Sequence, residues 1–204
     1  MDRRLGGGKV VLLDPATDAP CGTMDKLQAH RLGRYHAAIS VLLLDDAGRQ
    51  LIQQRAAEKY HGGGLWANAC CSHPWEGEGE AEAARRRVRE ELGIAVVPFA
   101  FGTIRYRARV HDARNSGTEG MVENEHVTLF IARHSGPCRP DPSEIATTAW
   151  VSAPGFSTPS HAAPWYSLYM NAFGQDLARI LENAERGVVS SRDYGTHDLA
   201  TGPT

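Results

Sequence analysis

No stretch of the 204-residue chain approaches the roughly 18 consecutive apolar residues of a membrane-spanning helix, so no membrane insertion is expected. Residues 1–8 carry charge but no apolar core, which argues against a secretory leader and for a cytoplasmic protein. No CxxC pair occurs among Cys21, Cys70, Cys71 and Cys138, which removes the usual basis for a structural zinc knuckle. Cys70 and Cys71 are adjacent and do not readily bridge each other, so reduced thiols of a cytosolic enzyme are expected. The glycine patterns GxGxxG and GxxxxGK followed by Ser or Thr are both missing, so neither phosphate-binding fingerprint is present. Charge of one sign is also lacking. The net charge is only −2, which gives no reason to expect nucleic acid as a partner.

The length suits one domain with a sizeable core. Residues 1–8 read as a loose tail, 9–185 as the domain and 186–204 as a flexible C-terminal tail. Strands are expected at 10–13, 35–44, Gln50–Arg55, 65–71, Phe99–Val110, 123–133 and 148–151. Residues 14–23, rich in Pro, Asp and Gly, read as turns, and a polar loop falls around Asn115-Ser116-Gly117. Glu80–Leu92 is the clearest helix. Ala81, Ala84, Val88 and Leu92 form its apolar stripe, and Gly93 stops it. Residues 165–185 predict a second helix. Strands with hairpins and two helices indicate one α/β domain, a mixed β-sheet sandwich flanked by helices.

Two sets of polar residues carry chemistry. His30, His36, His73, Glu123 and Glu125 are potential metal ligands. Glu123 and Glu125 alternate along a strand and point to one face, where they repel unless a cation lies between them. Three imidazoles and two carboxylates suit a six-coordinate Mn²⁺ or Mg²⁺, or an expanded Zn²⁺ site. The alternative is scattered surface histidines beside a solvated acidic pair, because the histidines are not at metal-motif intervals. The second set is cationic: Lys26, Arg55, Lys59 and Arg87, on four separate elements. Each alone reads as a surface charge. Arg87 and Glu91 share a helix face, either as a simple ion pair or with Glu91 on a metal and Arg87 on phosphate oxygens. Cys71 fits a buried packing role or a proton-transfer role. Trp165 fits either core packing or a π face for a cation.

Residues 72–94 resemble the Nudix box, G-x5-E-x7-R-E-U-x-E-E-x-G-U. Ser72 stands at the first glycine, while Glu78, Arg86, Val88, Glu90, Glu91, Gly93 and Ile94 match. Arg87 replaces a glutamate that a working Nudix hydrolase uses among its magnesium ligands. The chain resembles a neighbouring family on the Nudix fold, the type 1 isopentenyl-diphosphate delta-isomerases, over about residues 9–170. The resemblance rests on Gly22-Thr23-Met24-Asp25-Lys26 with His30, Tyr35-His36, Leu65-Trp66-Ala67-Asn68, Cys70-Cys71-Ser72-His73-Pro74, Arg105-Tyr106-Arg107-Ala108, Val122-Glu123-Asn124-Glu125 and Ala163-Pro164-Trp165. The chain departs from the commoner pattern at Tyr60-His61-Gly62-Gly63-Gly64, where many members carry Trp-Pro, and in a longer insert around Asp112–Glu119.

The resemblance implies conversion of isopentenyl diphosphate to dimethylallyl diphosphate through a tertiary carbocation. It implies one divalent metal, Mn²⁺, Mg²⁺ or Zn²⁺, on His30, His36, His73, Glu123 and Glu125. It implies Mg²⁺ on Glu91 and the Cys71 carbonyl, shared with the substrate diphosphate. Lys26, Arg55, Lys59 and Arg87 would grip that diphosphate. Cys71 and Glu125 would be the catalytic pair, assisted by Tyr106, with Trp165 facing the cation. A monomer or weak dimer is expected. A Nudix-type diphosphate hydrolase is the alternative, and a non-catalytic binding module on the same fold is a third reading.

Overall fold

The computed structural model describes residues 8–59, 61–110, 120–152, 159–188 and 191–199. Tyr60, the loop around Asn115-Ser116-Gly117 and the insert at Asp112–Glu119 lie outside the described residues, as do residues 1–7 of the N-terminal tail.

Among the described residues, ten strands form a mixed sheet around β3 (His36–Leu44). One edge of β3 pairs along its whole length with β8 (Met121–Arg133), in parallel. β8 pairs antiparallel with β7 (Phe99–Val110). The other edge of β3 is shared along its length by β1 (Lys9–Leu13), β6 (Cys70–Ser72) and β4 (Gln50–Arg55). β2 (Pro20–Asp25) extends the sheet beyond β1. β5 (Trp66–Asn68) and β9 (Ile145–Val151) flank β4. Because three short strands divide one edge, the sheet spreads into two wings.

β3 is buried from end to end, and its alternation sorts the core into two layers. Ala38, Leu42 and Leu44 face one way, with Trp165, Tyr166, Tyr169, Phe173 and Leu181 of the C-terminal helices. Ile39, Val41 and Leu43 face the other way, with Ala83, Ala84, Val88 and Leu92 of helix α2 (Glu80–Leu92). Each fully buried Leu or Ile contributes about 1.5–3 kcal/mol to holding these layers on the sheet.

Helix α2 has the expected limits. Its buried stripe uses Ala83 in place of the expected Ala81, which is exposed, and also includes Glu91. Gly93 ends it in the left-handed conformation, φ 67°, and its N–H donates to the Arg89 carbonyl. A Cβ at Gly93 would sit 3.0 Å from both the Cβ and the carbonyl oxygen of Arg139, so strain and contact together favour glycine.

Several expectations change. Of residues 14–23, expected as turns, 20–23 belong to β2, which pairs with β1. Lys26–Arg31 is a short helix, α1, capped by Asp25 Oδ1 on the Gln28 N–H at 3.0 Å; it is too short to show a helical period. The single strand expected over 65–71 is two strands, β5 and β6, which pair with different partners. The second helix divides into α3 (Pro164–Phe173) and α4 (Leu177–Glu185) around a 3₁₀ turn at Gly174–Asp176. Gly and Asp are weak helix formers. The tail expected to be flexible includes β10 (Arg192–Asp198), parallel to β7. Its polar sequence hides this, because it is an edge strand held by backbone pairing and little burial.

Candidate active site

Sheet register assembles one row of the site. Glu125 on β8 lies opposite Tyr106 on β7 and beside His36 on β3. The Tyr106 hydroxyl donates to Glu125 Oε2 at 2.7 Å. Glu123, two residues earlier, shares that face. His30 arrives from α1 and His73 from the residue after β6.

The histidine tautomers follow from their partners. His30 Nδ1 lies 2.6 Å from the Lys26 carbonyl, and His36 Nδ1 lies 2.7 Å from that of Arg34. A carbonyl only accepts, so each Nδ1 carries the proton and each Nε2 faces the carboxylates. His36 Nε2 stands 3.2 Å from His73 Nε2, which stands 3.0 Å from Glu125 Oε1. His30 Nε2 is 3.1 Å from Glu123 Oε2. Two imidazole nitrogens this close beside buried carboxylates fit a cation better than they fit each other. The donor atoms of His30, His36, His73 and Glu125 lie within 4.8 Å of one another, a set that can hold a metal.

Electrostatics agree with that assignment. Burial would raise Glu123, but the His61 and His30 imidazoles outweigh it and hold the carboxyl well below its usual range. Burial and Glu123 push Glu125 up, and hydrogen bonds from His36 and His73 bring it down. Burial opposes a charge on His30, yet Glu123 and Glu125 raise it to about 9. His30 is thus the imidazole that the two carboxylates favour most strongly in its charged form. Burial lowers His73 to about 3, leaving it a neutral ligand type.

Cys71 follows from the same register. It lies opposite Ser40 across β3 and β6. Adjacent strand residues point to opposite faces, so Cys70 joins the α2 layer while Cys71 packs against the α3 layer. The Cys71 thiol donates to Asn68 Oδ1 at 3.0 Å. Asn68 is oriented by donating its Nδ2 to the carbonyls of Val41 and Cys70. Ser40 Oγ lies 3.3 Å from the sulfur and 3.0 Å from the Tyr169 hydroxyl. Burial raises Cys71 to about 11, so it stands as a thiol at neutral pH.

A cavity of about 340 Å³ is lined by Cys71, Tyr106, Glu123, Glu125 and Trp165 together with Lys26, Arg55, Lys59 and Arg87. A wider cavity of about 800 Å³ shares Lys26, His73, Arg87 and Glu144 with it. Trp165 is brought in near the start of α3, where Pro164 occupies the first turn. The Arg55 guanidinium lies 5.6 Å from its ring centroid.

All four expected cations reach the cavity, and two of them are held by Glu144. Lys59 Nζ pairs with Glu144 Oε2, and Arg87 Nη2 lies 3.1 Å from Glu144 Oε1. Burial would raise Glu144, but Lys59 and Arg87 lower it to about 2. Burial and the charges of Lys59 and Arg87 lower Lys26 to about 8. Glu91 does not line the cavity. It is buried behind Arg87, whose Nη2 donates to Oε1 at 2.6 Å, while Oε2 is buried with no hydrogen bond among the described residues. A buried carboxylate oxygen left in that state fits a divalent cation.

Five residues of the site are additions to the sequence reading: His61, Ser40, Asn68, Tyr169 and Glu144. Cross-strand register and tertiary contact bring them in; the sequence signals are the unusual Tyr60-His61-Gly62-Gly63-Gly64 loop for His61 and the Leu65-Trp66-Ala67-Asn68 motif for Asn68.

Comparison with known proteins gives the same frame. Residues 34–169 match the model of the NUDIX domain. Over 168 residues the chain is 42% identical to "Isopentenyl-diphosphate Delta-isomerase" of Streptomyces coelicolor, covering 80% of this chain and 82% of the relative. It is 42% identical over 166 residues to "Isopentenyl-diphosphate Delta-isomerase 1" of Aromatoleum aromaticum, covering 80% and 89%. Among solved structures, DR0079 of Deinococcus radiodurans aligns over 86% of this chain and 98% of its own, with a TM-score of 0.56 and 17% identity, a likeness of fold alone.

Proposed function

The chain belongs to the isopentenyl-diphosphate Delta-isomerase family and carries its NUDIX domain, and from that premise we propose that it interconverts isopentenyl and dimethylallyl diphosphate. The observation that carries the reading is the shared cavity, with a protonated Cys71 thiol and an ionised Glu125 lining one space beside Trp165 and four cations. Its volume lies within the usual range for small-ligand sites, roughly 300–1,000 Å³.

The reaction adds a proton to the terminal alkene carbon and removes another from the carbon next to the diphosphate-bearing one. One group must give a proton and another must take one. Cys71 and Glu125 form that pair, and because the reaction is reversible the donor in one direction is the acceptor in the other. Each turnover shifts one proton from donor to acceptor, and exchange with solvent resets the pair. Tyr106, bonded to Glu125, orients its carboxylate and shares its proton. Asn68 and Ser40 fix the Cys71 sulfur, and Tyr169 fixes Ser40. The intermediate is a tertiary carbocation that water would trap, so a dry wall with a π face is required, and buried Trp165 provides it.

Lys26, Arg55, Lys59 and Arg87 bind the diphosphate, with Glu144 giving up Lys59 and Arg87 as it enters. His30, His36, His73, Glu123 and Glu125 would hold a divalent cation (Mn²⁺, Mg²⁺ or Zn²⁺), which would supply fixed charge beside Glu125, and Glu91 would help hold Mg²⁺, which would offset diphosphate charge. Arg87 occupies a position where a Nudix hydrolase needs a metal-binding glutamate, so the site is suited to holding a diphosphate without cleaving it.

Purified protein supplied with Mg²⁺ or Mn²⁺ should convert isopentenyl diphosphate to dimethylallyl diphosphate. Cys71→Ala and Glu125→Gln should each reduce kcat by at least about 10²–10⁴-fold, the usual scale for losing a proton-transfer group. Absence of turnover with every divalent metal tried would refute the reading.

A further inference from the structure

His61 lies in a loop whose sequence gave it no role. We propose that His61 is a fourth imidazole ligand of the metal cage, and that its backbone ties the cage to the diphosphate-binding Arg55. This rests on the reading of the cage as a metal site.

Two overlapping sets of donor atoms occur: His30, His36, His73 and Glu125, and His30, His61 and Glu123. Within each set the atoms lie within 4.8 Å of one another. The sets share His30 and draw on carboxylates two residues apart on β8. His61 Nε2 contacts Glu123 Oε1, while the other oxygen of that carboxylate faces His30 Nε2 at 3.1 Å. The His61 and His30 rings are 5.2 Å apart. His61 thus meets the cage in the same manner as His30 and His73 do, through Nε2 on a carboxylate oxygen.

Six side chains then offer four nitrogens and two carboxylates, enough to fill a six-coordinate sphere. A closed sphere has a chemical consequence. Catalytic metals that activate water keep a position open for it. With His61 bound, a six-coordinate ion would have no position left for a water, which would otherwise threaten both a carbocation and a diphosphate.

The loop is built to bring His61 there. Gly62 and Gly64 have φ of 59° and 76°. A Cβ on Gly63 would lie 2.4 Å from the Ala57 carbonyl oxygen, so the loop closes only with glycine at that point. The His61 carbonyl accepts from Arg55 Nη2 at 3.1 Å, and the Arg55 backbone pairs with Leu65 and Gly64. Metal binding by His61 would therefore also help position the Arg55 guanidinium.

X-ray absorption on the unmodified chain loaded with Mn²⁺ or Zn²⁺, without diphosphate, counts bound imidazoles directly. Metal content and affinity are measured alongside by elemental analysis and calorimetry. Four imidazoles are expected, falling to three in His61→Ala. Metal affinity in that variant should fall at least tenfold, the lower end of the roughly 10–100-fold seen when even an outer partner of a ligand is lost. Stoichiometric metal with three imidazoles in the unmodified chain, and unchanged affinity in His61→Ala, would overturn the proposal while leaving the metal cage intact. No stoichiometric metal would overturn both.

Discussion

The histidine cage and the cationic floor line one cavity and bury charge in opposite ways. The cage gathers two buried carboxylates among imidazoles, with His30 raised to about 9 by the carboxylates and His73 lowered to about 3 by burial, so its balancing charge is a bound proton or ion rather than a basic side chain of the chain. The floor gathers cations and neutralises them from within, Lys59 and Arg87 on Glu144 and Arg87 also on Glu91. On the proposed reading the first takes up an ion. The second is already paired within the chain, and on the proposed reading it would exchange partners when a diphosphate arrives. Metal binding and substrate binding are therefore different kinds of event: one fills a gap, and the other swaps one anion for another.

The comparison breaks most completely if the cage is emptied. Chelation should abolish isomerase activity and lower the melting temperature, because the folded chain loses a ligand worth about 4 kcal/mol when metal stands at 1,000 times its Kd. Scanning calorimetry with and without chelator checks this; an unchanged melting temperature would mean that the cage binds no metal.

A smaller effect separates the floor. Arg87→Gln removes charge-assisted hydrogen bonds worth about 1.5–3 kcal/mol each, so KM for the substrate should rise about 100-fold. It also leaves Glu91 buried without its cation, at a stability cost of about 3–5 kcal/mol. Metal content at the cage should not change. A loss of cage metal in this variant would show that the two regions are not separable.

The smallest effect is in pH. Lys26 has its pKa lowered from 10.5 to about 8, by burial first and then by Lys59 and Arg87. It is charged below that pH and neutral above it, so diphosphate binding should weaken as pH rises past 8, at most about tenfold per unit. Calorimetric titration with inorganic diphosphate at pH 7 and 9 would read this, and Lys26→Met should flatten the trend.

Much of this was legible in the sequence where a residue's role follows from its own element. Helix α2, with its glycine stop, and strand β7 appear at their expected limits, because their patterns are long and periodic. The pair Glu123 and Glu125 is readable from strand alternation, and the sheet register sets Glu125 between His36 and Tyr106, with Glu123 opposite Ala108. Helix α1 is too short to show periodicity, and β10 is held by pairing that composition does not reveal. Ser40 sits under Cys71 only because of the β3–β6 register, and Glu144 reaches Lys59 across 85 positions of chain. Local pattern carries no record of such distant pairings. Composition also could not distinguish Cys70 from Cys71. The sheet does so by sending one toward α2 and the other toward the cavity.

The account stands or falls on proton exchange without loss of phosphate. Metal-loaded protein incubated with isopentenyl diphosphate in D₂O, followed by ¹H and ³¹P NMR, tests it directly. The predicted result is dimethylallyl diphosphate carrying solvent deuterium in a methyl group, with the diphosphate signals intact. Release of inorganic phosphate or an isoprenoid monophosphate, without migration of the double bond, would contradict it.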